Sequence, residues 1–296
     1  MCGIVGLFLK GKRLESELGA LVAAMLETMS ERGPDSAGFA VFGEGEDGRV
    51  KLTLRLVDVD ADSVLADAAG VLGCGVCGQM RETHLVLSIP AEEEVKARFW
   101  AEGRPDLVLV GVGNRMELYK EVGAPADVAR RFGLQAMSGT HAIGHTRMAT
   151  ESAVTTAGAH PFSTGKDQCL VHNGSLSNHN DLRRRLRRGG MRFETENDSE
   201  VAAAYLTSRM AGGLSLGQAL EAGLGELDGF YTFVCGTAGG FAVLRDPISC
   251  KPAVMAETDD YVAFGSEYRA LVPLPDIESA RVFEPEPAHV YAWERH

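Results

Sequence analysis

Cys2 stands one peptide bond behind the initiator methionine. A thiol in that place could be an accident, an anchor site or a nucleophile. Four polar stretches follow it, at the ends of predicted elements, where chemistry is usually placed. They are Arg32-Gly-Pro-Asp-Ser-Ala-Gly38, Gly144-His-Thr-Arg-Met-Ala-Thr150, His172-Asn-Gly-Ser-Leu-Ser-Asn178 and Asn197-Asp-Ser-Glu200. Singly, each has an ordinary reading. His172-Asn173-Gly174 can be a tight turn, since Asn-Gly is a strong turn signal. Arg147 can pair with a surface acid, and Asp198 can cap a helix. Cys2 is different. Once Met1 is removed, one residue carries both a thiol and a free α-amine. An α-amine titrates near ~7.7–8.0 and can take a proton at working pH, while a thiol near ~8.5 needs only modest help to ionise. Nucleophile and general base then sit on the same residue, as in the threonine variant of this chemistry.

The totals narrow the setting. The chain has 296 residues, 45% hydrophobic and 24% charged, with a formal net charge of −12. That suits a soluble globular protein with a full core. It gives no attraction to nucleic acid. The basic run Arg183 to Arg188 reads as a solvated helix face rather than an acidic docking site. No apolar stretch reaches the ~18–20 residues of a membrane span, and the start lacks the pattern of a signal peptide. Myristoylation needs glycine at position two, which removes the anchor reading of Cys2. The six cysteines are scattered through a long chain and read as reduced, so a cytoplasmic location is expected.

The elements that must position these residues follow from apolar periodicity. Strands are expected at Ile4–Leu9, Gly38–Phe42, Lys51–Val57, Ala142–Arg147, Gln168–His172, Tyr231–Cys235, Phe241–Leu244, Tyr261–Phe264 and His289–Trp293. A helix is expected over Ser16–Met29, with others near Asn180–Arg188, Ser199–Ala211 and Leu216–Ala222. Asp198 or Ser199 is the expected cap of the Ser199 helix. Between about Asp58 and Met137 the texture changes to a compact α/β insertion. Its helices are expected at Asp62–Val71, at Ala91–Ala101 opened by Pro90, and behind Pro125. Its strands are expected at His84–Ile89, Leu107–Val112 and Glu117–Val122.

In this order behind Met-Cys-Gly-Ile-Val-Gly, the motifs resemble the class II glutamine amidotransferases, over about residues 1–43 and 140–270. The resemblance implies an α+β fold of four αββα layers, an N-terminal-nucleophile hydrolase sandwich, here over 1–296 with the insertion at about 58–137. It implies Cys2 as the nucleophile that attacks the glutamine carboxamide. Asn173 and Gly174 would supply the oxyanion donors. Arg147 would hold the α-carboxylate and Asp198 the α-ammonium, with Thr150 also at the substrate. Arg32 and His172 would support them. No metal is implied. The pattern departs from the family at Met148, where glucosamine phosphate synthases carry an aromatic residue, and at Glu151, where they carry a histidine.

The sequence runs to His296, and no acceptor module is expected in it. The expected arrangement is a stand-alone glutaminase subunit, resembling those that accompany separate glutamate-synthase-like polypeptides. Ammonia would pass to such a subunit in a hetero-oligomer. FMN and an iron–sulfur cluster would belong to that partner, with no cofactor in this chain. The insertion is similar to that of the A subunit of N-methylglutamate synthase, which would tie the protein to methylamine use. A glutamate synthase amidotransferase subunit and a non-catalytic assembly subunit are the rival readings. A peptide-cleaving N-terminal-nucleophile amidase is a third, but it leaves Arg147 and Asp198 without a purpose. The ligand is L-glutamine or glutamate, with no nucleic acid and no membrane. Cys74 and Cys77, with His84 downstream, form a lone C-x-x-C that is weak as a metal or redox signal; buried thiols in a small-residue turn are the simpler expectation.

Overall fold

The computed structural model describes residues 2–73, 75–149 and 153–295. In chain order it runs β1 (Gly3–Leu9), α1 (Leu18–Thr28), β2 (Ser36–Phe42), β3 (Arg49–Leu56), α2 (Ala61–Leu72), β4 (Cys77–Arg81) and β5 (His84–Pro90). Then come α3 (Glu94–Glu102), β6 (Leu107–Gly113), β7 (Met116–Val122), α4 (Pro125–Arg131), β8 (His141–Arg147), β9 (Phe162–Gly165) and β10 (Gln168–Leu176). The rest is α5 (His179–Arg188), α6 (Asp198–Ala211), α7 (Leu216–Glu226), β11 (Gly229–Thr237), β12 (Gly240–Arg245), β13 (Val254–Glu257), β14 (Tyr261–Gly265), β15 (Arg281–Phe283) and β16 (Val290–Glu294).

Alternation along β1 explains the layering. A strand sends successive side chains to opposite faces. Ile4 and Phe8 point inward and meet Val171, Val234, Phe241 and Val243 across the sandwich. Val5, Leu7 and Leu9 point outward, onto Leu18, Val22, Met25 and Leu26 of α1. Gly6 lies on the inner face, where a Cβ would stand 2.7 Å from the Phe241 ring, so only glycine lets the two sheets close there. The inner layers are a sheet ordered β15-β13-β14-β1-β8-β2-β7 and a sheet ordered β16-β12-β11-β10-β9. The second sheet is covered by α5, α6 and α7 through Leu182, Val201, Tyr205 and Leu220. This is the four-layer αββα sandwich.

The insertion has different limits from those expected. Its sheet is ordered β4-β5-β3-β6, so it begins with Arg49–Leu56 and ends at Gly113. β7 pairs with β2 from Ser36↔Val122 to Phe42↔Met116 and is the edge of the large sheet. Val128, Phe132, Leu134 and Met137 pack into the α1 layer. The β6–β7 hairpin reads as one unit in sequence, but its two strands serve different sheets. Asp167 pins that hairpin, accepting from the backbone N–H groups of Asn114, Arg115 and Met116 at 2.8, 2.8 and 2.9 Å.

Three smaller expectations also shift. Pro90 closes β5, and a short 3-10 turn at Ala91–Glu93 precedes α3. The cap of α6 is Asn197, whose side chain accepts from the Ser199 N–H, which leaves Asp198 free to face β10. The basic run is not wholly solvated. Arg183 is buried, held by Glu196 and the Asn197 carbonyl.

Candidate active site

The register of the large sheet gathers the motifs at one end. β1 and β8 pair Gly3 with Thr146, which brings Cys2 alongside Arg147. β2 pairs Ser36 with Arg147 on the other side. Cys2 is half-buried, its Sγ 3.9 Å from the Met148 carbonyl. Its own carbonyl is held twice, by Arg32 Nε at 3.0 Å and by the Asn173 side-chain amide at 3.2 Å. Arg32 is in turn ion-paired with Glu267, and Glu267 with Arg269 at 2.7 Å. The Arg32 partnership lowers the Glu267 carboxyl below the usual range, against some burial. Next along β1, the Ile4 N–H donates to Ser266 Oγ at 2.9 Å and the Ser266 N–H to the Ile4 carbonyl at 3.0 Å. The nucleophile candidate therefore emerges from a strand fixed on every side.

The Arg32 motif forms a wall against β8. A Cβ on Gly33 would lie 2.4 Å from the Arg147 backbone nitrogen. The Asp35 N–H donates to the Arg147 carbonyl at 3.1 Å, and Asp35 Oδ2 accepts from the Ala149 N–H at 2.8 Å. Asp35 thus shapes the turn that leaves Arg147, a role that its place in the motif could have suggested. Arg147 is 7% exposed and its Nη1 donates to the Ala153 carbonyl at 3.4 Å.

Asn173 and Gly174 lie on β10, opposite Thr232 and Tyr231 of β11. Gly174 has φ +151°, and a Cβ there would fall 2.0 Å from the Phe230 carbonyl oxygen. The position is closed to any other residue. Asp198, on the first turn of α6, accepts from the Leu176 N–H at 2.8 Å, so the helix start is tied to the strand carrying Asn173.

Behind them sits a cluster of buried histidines. Ser199 Oγ lies 2.8 Å from His160 Nε2 and 2.9 Å from His172 Nδ1, with Asp198 Oδ1 3.8 Å from His172 Nδ1. His145 stacks on His160 with ring centroids 4.1 Å apart. His145 Nε2 is 3.1 Å from the His172 carbonyl, which can only accept, so the imidazole proton is on Nε2. Burial holds all three neutral. His145 is pushed down to about 3 by desolvation, and His160 and His172 are lowered for the same reason, Asp198 partly opposing it at His172. These imidazoles brace the Asn173 strand. His145 and Ser199 stand inside the motifs and His160 outside them, and their mutual packing has no signal in spacing.

The structure brings Cys2, Arg32, Arg147, His172, Asn173, Gly174 and Asp198 to one strand-end region. Thr150, Met1, Glu151 and Cys74 lie outside the described residues. Cys77 is exposed on β4, unlike the buried thiol expected of it.

Comparison with known proteins fits this geometry. The chain is 61% identical over 297 residues to the glutamine amidotransferase-like protein GlxB of Rhizobium meliloti (strain 1021), covering 99% of this chain and 98% of that protein. The chain belongs to the class II glutamine amidotransferases. A putative glutamine amidotransferase of Methanothermobacter thermautotrophicus is 32% identical, over 98% of this chain and 99% of its own. The family profile described as a glutamine amidotransferase domain matches residues 145–273, the span from β8 to just past β14. Among solved structures, the glutamine phosphoribosylpyrophosphate amidotransferase of B. subtilis superposes with TM-score 0.64 at 19% identity. The superposition covers 99% of this chain and 47% of that one. At that identity the likeness concerns the fold, and this amidotransferase spans about half the length of that enzyme. No helix of the described residues is long and apolar enough to cross a membrane.

Proposed function

We propose that this amidotransferase is a glutaminase subunit working through Cys2. The observation that carries the reading is the double hold on the Cys2 carbonyl by Arg32 and Asn173, which sets an amide donor beside the one residue that can be both nucleophile and base. In the proposed sequence, the Cys2 thiol gives its proton to the α-amine as sulfur attacks the carboxamide carbon. Asn173 and the Gly174 N–H stabilise the tetrahedral oxyanion. The α-ammonium returns the proton to the departing nitrogen, releasing ammonia and leaving a thioester. Water then cleaves the thioester to glutamate and restores the thiol. Arg147 suits the α-carboxylate as a planar, bidentate donor, and Asp198 suits the α-ammonium.

The finer reading is that ammonia passes to a glutamate-synthase-like subunit, as in an N-methylglutamate synthase complex of methylamine metabolism. The insertion is our choice of docking surface for that subunit. It carries exposed Val95 and Phe99, 78% and 71% accessible and one turn apart on α3. Val95→Asp with Phe99→Asp is expected to abolish co-purification with the synthase-like polypeptide while leaving free glutaminase activity intact. Retained assembly refutes that surface.

The chemistry itself is tested by mass. The mature protein is expected to begin at Cys2 and to gain one adduct there from 6-diazo-5-oxo-L-norleucine, a glutamine analogue with an electrophilic diazoketone in place of the amide. Normal glutamine hydrolysis by a species retaining Met1, or by Cys2→Ala, refutes the mechanism.

A further inference from the structure

The segment 153–160 lies between the glutamine-site arginine and the insertion. On one side it meets Arg147. The Ala153 carbonyl accepts from Arg147 Nη1 at 3.4 Å, and a Cβ on Gly158 would stand 3.5 Å from the same atom. On the other side it is held by two consecutive charged residues of β7. Lys120 Nζ donates to the Ala157 and Ala159 carbonyls at 3.2 and 2.9 Å and sits 4.5 Å over the Phe162 ring. Glu121 accepts from Thr156 Oγ1 through its Oε1.

Glu121 is itself held from the insertion. Its Oε2 accepts from Thr83 Oγ1, in the β4–β5 turn, at 3.2 Å, and from Arg55 Nε, on β3, at 3.5 Å. Consecutive residues of a strand point to opposite faces, so Lys120 and Glu121 cannot both face solvent. Both are buried, at 8% and 6% exposure. A carboxylate buried to that extent is retained only with several donors around it. Here the donors are the neighbouring Val122 N–H at 3.0 Å and side chains from two other regions of the chain.

We propose that Glu121 is a positioning residue for glutamine binding, the member that connects the insertion to the segment bracing Arg147. Thr83 and Arg55 orient the carboxylate, the carboxylate orients Thr156, and Thr156 fixes the segment on which the guanidinium rests. This rests on the reading of Arg147 as the substrate arginine. It provides the route by which a subunit seated on the insertion changes the affinity of the glutaminase without touching Cys2.

The test is saturable inactivation by 6-diazo-5-oxo-L-norleucine of the full chain, separating half-saturation from limiting rate. Glu121→Gln and Thr156→Val are expected to raise the half-saturation concentration about tenfold, the scale of one hydrogen bond to a charged group. The limiting rate should change less than about twofold, since no transition-state contact is removed. Thr156→Ser keeps the hydroxyl and is expected to match wild type. Thr83→Val, which alters only the insertion and leaves the Thr156 hydrogen bond to Glu121 in place, is expected to raise half-saturation by a smaller factor, about threefold. Unchanged half-saturation in both Glu121→Gln and Thr156→Val, or a fall in limiting rate alone, overturns the proposal. Amide exchange over 153–159 needs no glutamine site and separates this inference from the active-site reading. Faster exchange there in Glu121→Gln and Thr83→Val supports the connection, and identical exchange overturns it even if Cys2 labels normally.

Discussion

Around Cys2 the interior is polar and long-range, whereas the insertion is aliphatic and local. The site buries His145, His160, His172, Ser199 and Asn173 and joins segments more than a hundred residues apart. The insertion closes over Val50, Leu52, Leu54, Leu85, Leu87 and Ile89, with Val64, Ala68, Ala97 and Ala101 from its two helices. Such a core asks only for the right volume, and cores of that kind tolerate exchange. A buried polar network loses the desolvation cost of each group left without its partner. The same chain therefore holds one region that any aliphatic packing could satisfy and one that a single atom can spoil.

The first way to break the contrast is at the site. Asn173→Ala is expected to lower kcat by about 10²–10³ with little change in KM, the scale of one lost oxyanion donor. Arg147→Ala should instead act mainly on KM. Steady-state kinetics on both variants decide this, and identical behaviour would remove the division of roles.

Acid offers the second comparison. Burial lowers His84, His141 and His145 to about 3, with His160 and His172 also lowered. The unfolded chain binds protons at these groups near ~6.5 and the folded chain does not. Their neutral folded form therefore costs nothing above that value, and stability falls as pH drops below it. His84, His141 and His145 each contribute up to about 1.4 kcal/mol per pH unit in that window. Only His84 lies on the insertion's sheet. A Tm series from pH 7.5 to 5 should fall steeply below 6.5, and a flat profile would show these imidazoles to be solvated.

The smallest effect concerns two glycines. Gly174→Ala meets the Phe230 carbonyl at 2.0 Å with φ +151° and should cost at least ~2 kcal/mol. Gly70→Ala, inside α2 with nothing within 4 Å, should gain about 0.5–1 kcal/mol from helix propensity alone. Chemical denaturation of both variants reads the sign directly.

The sequence was most legible where burial is uniform. β1 and β11 lie in the middle of their sheets and read as largely apolar runs. β4, β9, β13 and β15 went unseen because short or edge strands such as Cys77-Gly-Gln-Met-Arg81 need no apolar alternation, four of those five residues being exposed. The limits of the insertion are not legible in sequence because β6 and β7 look alike, and their partners, β3 and β2, are distant in sequence. The motifs brought the site residues into view through family likeness rather than periodicity. Glu121 carries a signal in the sequence: Lys120 and Glu121 are consecutive charges of one strand, which send their side chains to opposite faces and force one of them inward.

The pairing of β1 sets an order of events in synthesis. β1 lies between β8 and β14, with Val5 opposite Gly265, so its second neighbour is made only after most of the chain. At about 5–20 residues per second, the N-terminus waits tens of seconds before it can take its final place. On the proposed mechanism, that interval leaves time for the methionine to be removed before the strand behind Cys2 is paired on both sides. A folded chain that kept it would carry a blocked amine on the residue whose carbonyl Asn173 holds, an error that refolding in place would not repair. Affinity tags belong at the other end.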